Sequence, residues 1–147
     1  MLTRLSLIGS SVASLFLLAS ASAQAADPPF IKTNFATCES SNVCTVKFGA
    51  VPDGHRLDVS NVACRNNLLN PDTSRELVDL VIPGNNTVTY PLLPVNVTNS
   101  NIWIVSQEVS VPVIAGKHVE IHLQSFGGAV VGGAFLCTIS GQNVTVP

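Results

Sequence analysis

The chain has 147 residues, 46% of them hydrophobic and only 11% charged, with nine prolines, four cysteines and a formal net charge of −2. Such a composition excludes a disordered polar chain, which lacks the apolar residues to build a core. It also excludes a nucleic-acid-binding surface, because Lys32, Lys47, Arg56, Arg65, Arg75 and Lys117 are scattered rather than clustered.

One positive charge, Arg4, precedes an apolar run over residues 5–18, and small residues follow up to Ala23-Gln24-Ala25. That order predicts a secretory signal peptide over residues 1–25. The run is shorter than the roughly 20 apolar residues that span a bilayer, and Ser and Gly interrupt it. No transmembrane anchor is expected after cleavage, and the setting is secreted or periplasmic. Residues 26–36 read as an N-terminal leader and residues 37–147 as one domain.

From there, short β-rich runs alternate with turn signals. Cys44-Thr45-Val46-Lys47-Phe48 alternates, with Cys44, Val46 and Phe48 on one face. Val51-Pro52-Asp53-Gly54 is a turn, since Pro fixes φ and Gly permits a positive φ. The run from Arg56 to Cys64 starts with Leu57 and Val59 inward and ends with Val62 and Cys64 inward. Strand side chains repeat every two residues, so this change of parity predicts a bulge near Ser60-Asn61. Arg65–Thr73 is polar and reads as a loop. Glu76–Ile82 and Thr87–Leu92 form a hairpin about Pro83-Gly84-Asn85-Asn86, with Pro91 marking an edge strand. Ile102–Ile114 is long for one straight strand and is interrupted at Ser106-Gln107-Glu108, so it is either bent or two strands. Ala115-Gly116 then turns into a strand with Val119, Ile121 and Leu123 on its apolar side. The stretch from Gly127 to Gly133 is a glycine-bracketed loop, and Phe135, Cys137 and Ile139 form the inward face of the last strand.

The expected fold is therefore all-β: a single antiparallel β-sandwich of about seven to nine strands, with a jelly roll among the arrangements it allows. An even number of cysteines in an exported chain predicts disulfides rather than a zinc site, because no close C-x2-C pair is present. Three pairings are open. The strand pattern favours Cys38–Cys44, closing a small polar loop, and Cys64–Cys137, joining two inward faces.

Two stretches carry a resemblance. One is Val51-Pro52-Asp53-Gly54-His55-Arg56-Leu57-Asp58-Val59-Ser60-Asn61-Val62-Ala63-Cys64. The other runs from Ser106-Gln107 through Gly116 and Val119-Glu120-Ile121 to Ile139-Ser140-Gly141. Together they resemble small exported bacterial β-sandwich proteins of unknown function. The matched positions are turns and inward apolar residues. The resemblance implies a bacterial envelope or secreted setting and brings no active site with it.

The chemistry-bearing stretch is Lys117-His118-Val119-Glu120-Ile121-His122. His118, Glu120 and His122 share one face of a strand. Positions two apart are separated by roughly 6.5–7 Å and positions four apart by roughly 13 Å. The three cannot complete a metal site alone; a further ligand would have to come from elsewhere, with His55, Asp53, Asp58 and Glu108 as candidates. The expected role is a solvated sheet face, with no catalytic, cofactor or metal residues. No G-x-S-x-G elbow accompanies it. Glu108 with Glu120 is a nonspecific carboxylate pair of the kind glycoside hydrolysis uses. Trp103 and Tyr90 share parity with core residues, which argues against an exposed sugar-stacking shelf. Sequons at Asn85, Asn96 and Asn143 are glycan sites only in a eukaryotic secretory chain. The expected function is non-enzymatic: an exported binding or structural protein with a protein or glycan partner. The alternatives are a lectin-like module with a loop-based site, and a metal-dependent enzyme built on the His118/Glu120/His122 strand.

Overall fold

A computed structural model describes residues 28–38, 43–67, 76–97, 102–125 and 133–147. Among the described residues there are nine strands: β1 (Pro29–Cys38), β2 (Val43–Lys47), β3 (His55–Asn67), β4 (Glu76–Ile82), β5 (Val88–Leu92), β6 (Val95–Asn96), β7 (Ile102–Ile114), β8 (Glu120–Ser125) and β9 (Gly133–Thr145). They form two antiparallel sheets, ordered β1-β9-β3-β7-β6 and β2-β8-β4-β5. With the two-residue β6 set aside, this is the strand order of a jelly roll. First and last strands are neighbours in one sheet, and the chain crosses between sheets at β1–β2, β2–β3, β3–β4, β5–β6, β7–β8 and β8–β9. No helix appears among the described residues. The expected signal peptide, residues 68–73 of the expected loop and most of the glycine-bracketed loop lie outside the described residues.

The two inner faces make the core. Val59, Val62, Val111, Val113, Phe135 and Ile139 from the five-stranded sheet meet Val46, Val78, Leu80, Ile121 and Leu123 from the other, all at most 2% exposed. Each such side chain contributes about 1.5–3 kcal/mol by leaving water. Tyr90 and Trp103 pack against this core, as their parity predicts.

Both disulfides are those favoured by the strand pattern. Cys38–Cys44 ties the end of β1 to β2, and so links the two sheets at a corner. Cys64 and Cys137 face each other directly on adjacent strands of one sheet, with Cα atoms 4.1 Å apart.

The parity slip in β3 is a bulge. Ser60 is the extra residue between Val59, opposite Gly141, and Asn61, opposite Ser140. On the other side, Val59 pairs Val111 while Asn61 pairs Glu108, so β7 carries one residue more than β3 at this level. β7 is therefore a single bent strand, with its irregularity at Val109-Ser110 rather than at Ser106–Glu108. The bend presses backbone on backbone: a Cβ at Gly141 would fall 2.0 Å from Asp58 O. Gly54 (φ 73°) and Gly116 (φ 75°) sit in turns closed by His55 N–H to Pro52 O (3.2 Å) and Lys117 N–H to Ile114 O (3.1 Å). Both glycines occupy a left-handed backbone position that a side chain disfavours.

Two expectations need correction. Arg65–Asn67 belongs to β3 rather than to a loop. Residues 29–36, read as leader, form most of β1, an edge strand paired with β9 over its whole length. The pattern of β1 misleads because both faces carry apolar residues: Phe30, Ala36 and Cys38 face the core and Ile31 and Phe35 point outward, while Lys32 and Asn34 lie on the inner side at the open margin of the sandwich. Asn34 has a job there. The narrow Cys64–Cys137 pair is of the non-hydrogen-bonded kind, so Cys137 exchanges its backbone bonds with Asn34 on the other side, and Phe35 turns its N–H to the free edge. The Asn34 side chain accepts that N–H (3.0 Å) and donates to Lys47 O (2.6 Å), which blunts the edge and joins β1 to β2.

Candidate functional site

Three of the candidate polar residues meet on the outer face of the four-stranded sheet. Glu120 opens β8, between Lys47 of β2 and Val81 of β4. Its Oε1 lies 3.0 Å from His118 Nε2 and 3.1 Å from Lys47 Nζ, and its Oε2 lies 2.7 Å from His122 Nε2. One carboxylate thus bridges two imidazoles, as alternation along a strand permits, and takes an ammonium from the next strand.

The carboxylate is not solvated as expected: Glu120 is 8% exposed. His118, His122 and Lys47 cover it, and they keep their own outer atoms in water. Burial on its own would raise the Glu120 pKa. Hydrogen bonds from His122, His118 and Lys47, with the charge of Lys47, outweigh that and hold the carboxyl at about 2. It is therefore ionised at neutral pH. An ionised carboxylate only accepts, so both Nε2 atoms carry protons and donate.

This arrangement is poor for chemistry. A metal ion on Glu120 would have to displace the Lys47 ammonium and reverse both imidazoles from donors to ligands. No group of three or more His, Cys, Asp or Glu among the described residues is placed to hold a metal. A carboxyl held near 2 is also a weak proton acceptor at neutral pH, far from the range a general base uses.

The other candidates are elsewhere. His55 starts β3 in the five-stranded sheet, opposite Thr145. Glu108 is on the outer face of that same sheet, so the whole sandwich separates it from Glu120 and the two carboxylates cannot act on one bond. Asp58 holds Arg56 through two bonds of 2.8 Å, along one strand.

The sequence reading missed a second feature. The outer face of the five-stranded sheet carries a cross-strand row that runs through the pairings Phe35–Leu136, Leu136–Arg65, Arg65–Ile104 and Ile104–Val95. Its apolar members are all exposed: Phe35 66%, Leu136 44%, Ile104 40% and Val95 65%. Below it lies a row of small residues, Thr33, Thr138, Ala63 and Ser106, and Leu136, Arg65 and Ile104 wall a shallow depression of about 350 Å³ over them. Scattered single apolar residues on a surface are ordinary, but a contiguous row across five strands is the pattern of a contact surface. Alternation could have pointed to it, since Leu136 and Ile104 sit on the opposite parity from Cys137 and Val105.

No protein-family model matches the chain, and no characterised relative does. Among solved structures it is similar to a family two carbohydrate esterase from Cellvibrio japonicus, with 11% identity and a TM-score of 0.25. That likeness covers 80% of this chain and 36% of that one, so the chain spans about a third of the esterase's length. An overlap this loose transfers no chemistry.

Proposed function

We propose that the protein is an exported, non-enzymatic β-sandwich that works by presenting the outer face of its five-stranded sheet to a partner, in the periplasm or outside the cell. The observation that carries this reading is the exposed row of Phe35, Leu136, Ile104 and Val95 about Arg65. The other polar candidate, the Glu120 cluster, has its hydrogen bonds met internally. Two disulfides and no helix long and apolar enough to cross a membrane among the described residues are consistent with an exported chain. The resemblance to exported bacterial sandwich proteins points the same way.

A photo-reactive residue placed at position 136, in protein exported by a bacterial host, tests it. Adducts are expected from position 136 and not from position 89, on the outer face of the other sheet. An equal yield from both, or none from either, would sink the proposal. The exposed aromatic Phe35 favours a second reading, carbohydrate binding, on this face rather than in loops. Retention on a glycan array that disappears in Phe35→Ala would select it.

A further inference from the structure

We infer that the occupant of this face is a second copy of the same chain, packed sheet against sheet about a two-fold axis; this rests on the reading of the face as a contact surface. An isologous interface must be self-complementary, so one patch has to carry both members of every contact. This face does. Its first row is apolar about Arg65, and its third row, beyond the small residues, carries Ile31 at one end and Glu108 at the other. Arg65 and Glu108 take part in none of the ion pairs among the described residues. Within one molecule they stand well apart: Glu108 is four residues along β7 from Ile104, the neighbour of Arg65, a separation of roughly 13 Å.

A two-fold axis lying across the strands, over the row of small residues, brings the first row of one copy onto the third row of the other. Phe35 then lies over Ile31 of the partner subunit. Arg65 comes within reach of Glu108 of the partner subunit, and the reverse pair forms by symmetry. The small middle row, with Thr138 and Ala63 at its centre, allows the close approach of about 10 Å that face-to-face sheets adopt. One operation thus supplies the Phe35–Ile31 contact and the Arg65–Glu108 pair, each twice, while Leu136 comes to lie over Ser140 of the partner subunit.

Sedimentation of the mature, oxidised protein over a dilution series tests this. A dimer is expected. Arg65→Glu and Glu108→Arg should each weaken it about tenfold or more, by placing like charges face to face, and the double variant R65E/E108R should restore it to within about threefold. Leu136→Glu should give a monomer with an unchanged circular-dichroism spectrum. A wild-type protein that stays monomeric throughout, or a dimer indifferent to all four variants, would overturn the inference. A monomer that still gives adducts from position 136 would overturn the second copy while leaving the surface itself standing; a monomer without adducts would remove both.

Discussion

At the scale of single residues, Glu120 shows how a buried charge becomes tolerable. Three donors reach its two oxygens, and each of those donors stays partly in water. Glu120→Ala should cost about 1–3 kcal/mol in urea unfolding at neutral pH, because a part-buried network loses its acceptor. Glu120→Gln should cost less, since the amide keeps the shape and its one remaining acceptor oxygen still takes part of the network. The two proteins should differ most in acid. The folded pKa of about 2 lies below the ordinary value of 4.5, so ionised Glu120 stabilises the fold fully above pH 4.5 and less as pH falls towards 2. That loss is about 2–3 kcal/mol, less where water screens Lys47. The gap between wild type and Glu120→Gln should therefore shrink from pH 5 to pH 2; a constant gap would mean the carboxyl titrates normally. Gly141 is the opposite kind of position, demanded by space alone. A methyl there overlaps the Asp58 carbonyl, so β9 must withdraw from the bulge. Gly141→Ala should lower stability by about 2–4 kcal/mol in the same measurement.

At the scale of strands, the sequence carried what alternation can carry. Inward sets such as Val78 with Leu80, and Phe135 with Ile139, are visible because one side of each strand faces a continuous core. The bulge is visible because it breaks that parity at Ser60. β1 is not visible, because an edge strand at the sandwich margin has little core to face: Phe30, Ala36 and Cys38 do so, but Lys32 and Asn34 share their side and Ile31 and Phe35 sit on the other. The burial of Glu120 is likewise a tertiary fact: His-x-Glu-x-His puts three groups on one face, but Lys47 arrives from another strand. Cysteine pairing was legible through strand parity, and the topology adds a ranking. Cys64–Cys137 spans 73 residues and Cys38–Cys44 spans six. In the chain-entropy account these are worth about 4 and about 2 kcal/mol. Replacing each pair by alanine should show that order in denaturant midpoints, and the reverse order would mean that packing, rather than loop closure, dominates.

At the scale of the molecule, the two outer faces are unlike. The four-stranded sheet turns outward an ion cluster and mostly polar strand residues, with Val43 and Leu77 as exposed apolar side chains separated by Gln124, while the five-stranded sheet turns outward a row of four exposed apolar side chains about one arginine. Stability alone does not call for that row. Phe35, Leu136 and Ile104 point away from the core, and their contribution to folding comes from contacts with their cross-strand neighbours, Phe35 with Leu136, and Leu136 and Ile104 with Arg65, about 0.2–1 kcal/mol a pair. Apolar residues left in water on a flat sheet also raise the hazard of aggregation. On the proposed reading, contact with a partner explains a residue set that adds little to folding and adds risk to the isolated chain. Changing Phe35, Leu136 and Ile104 singly to threonine, a good strand former, should then move the denaturant midpoint by no more than about 0.5 kcal/mol each. The same three changes should abolish association measured by sedimentation or adduct formation. Threonine variants that lose about 2 kcal/mol or more would show that the row stabilises the sheet itself, and the asymmetry of the faces would then belong to folding and not to recognition.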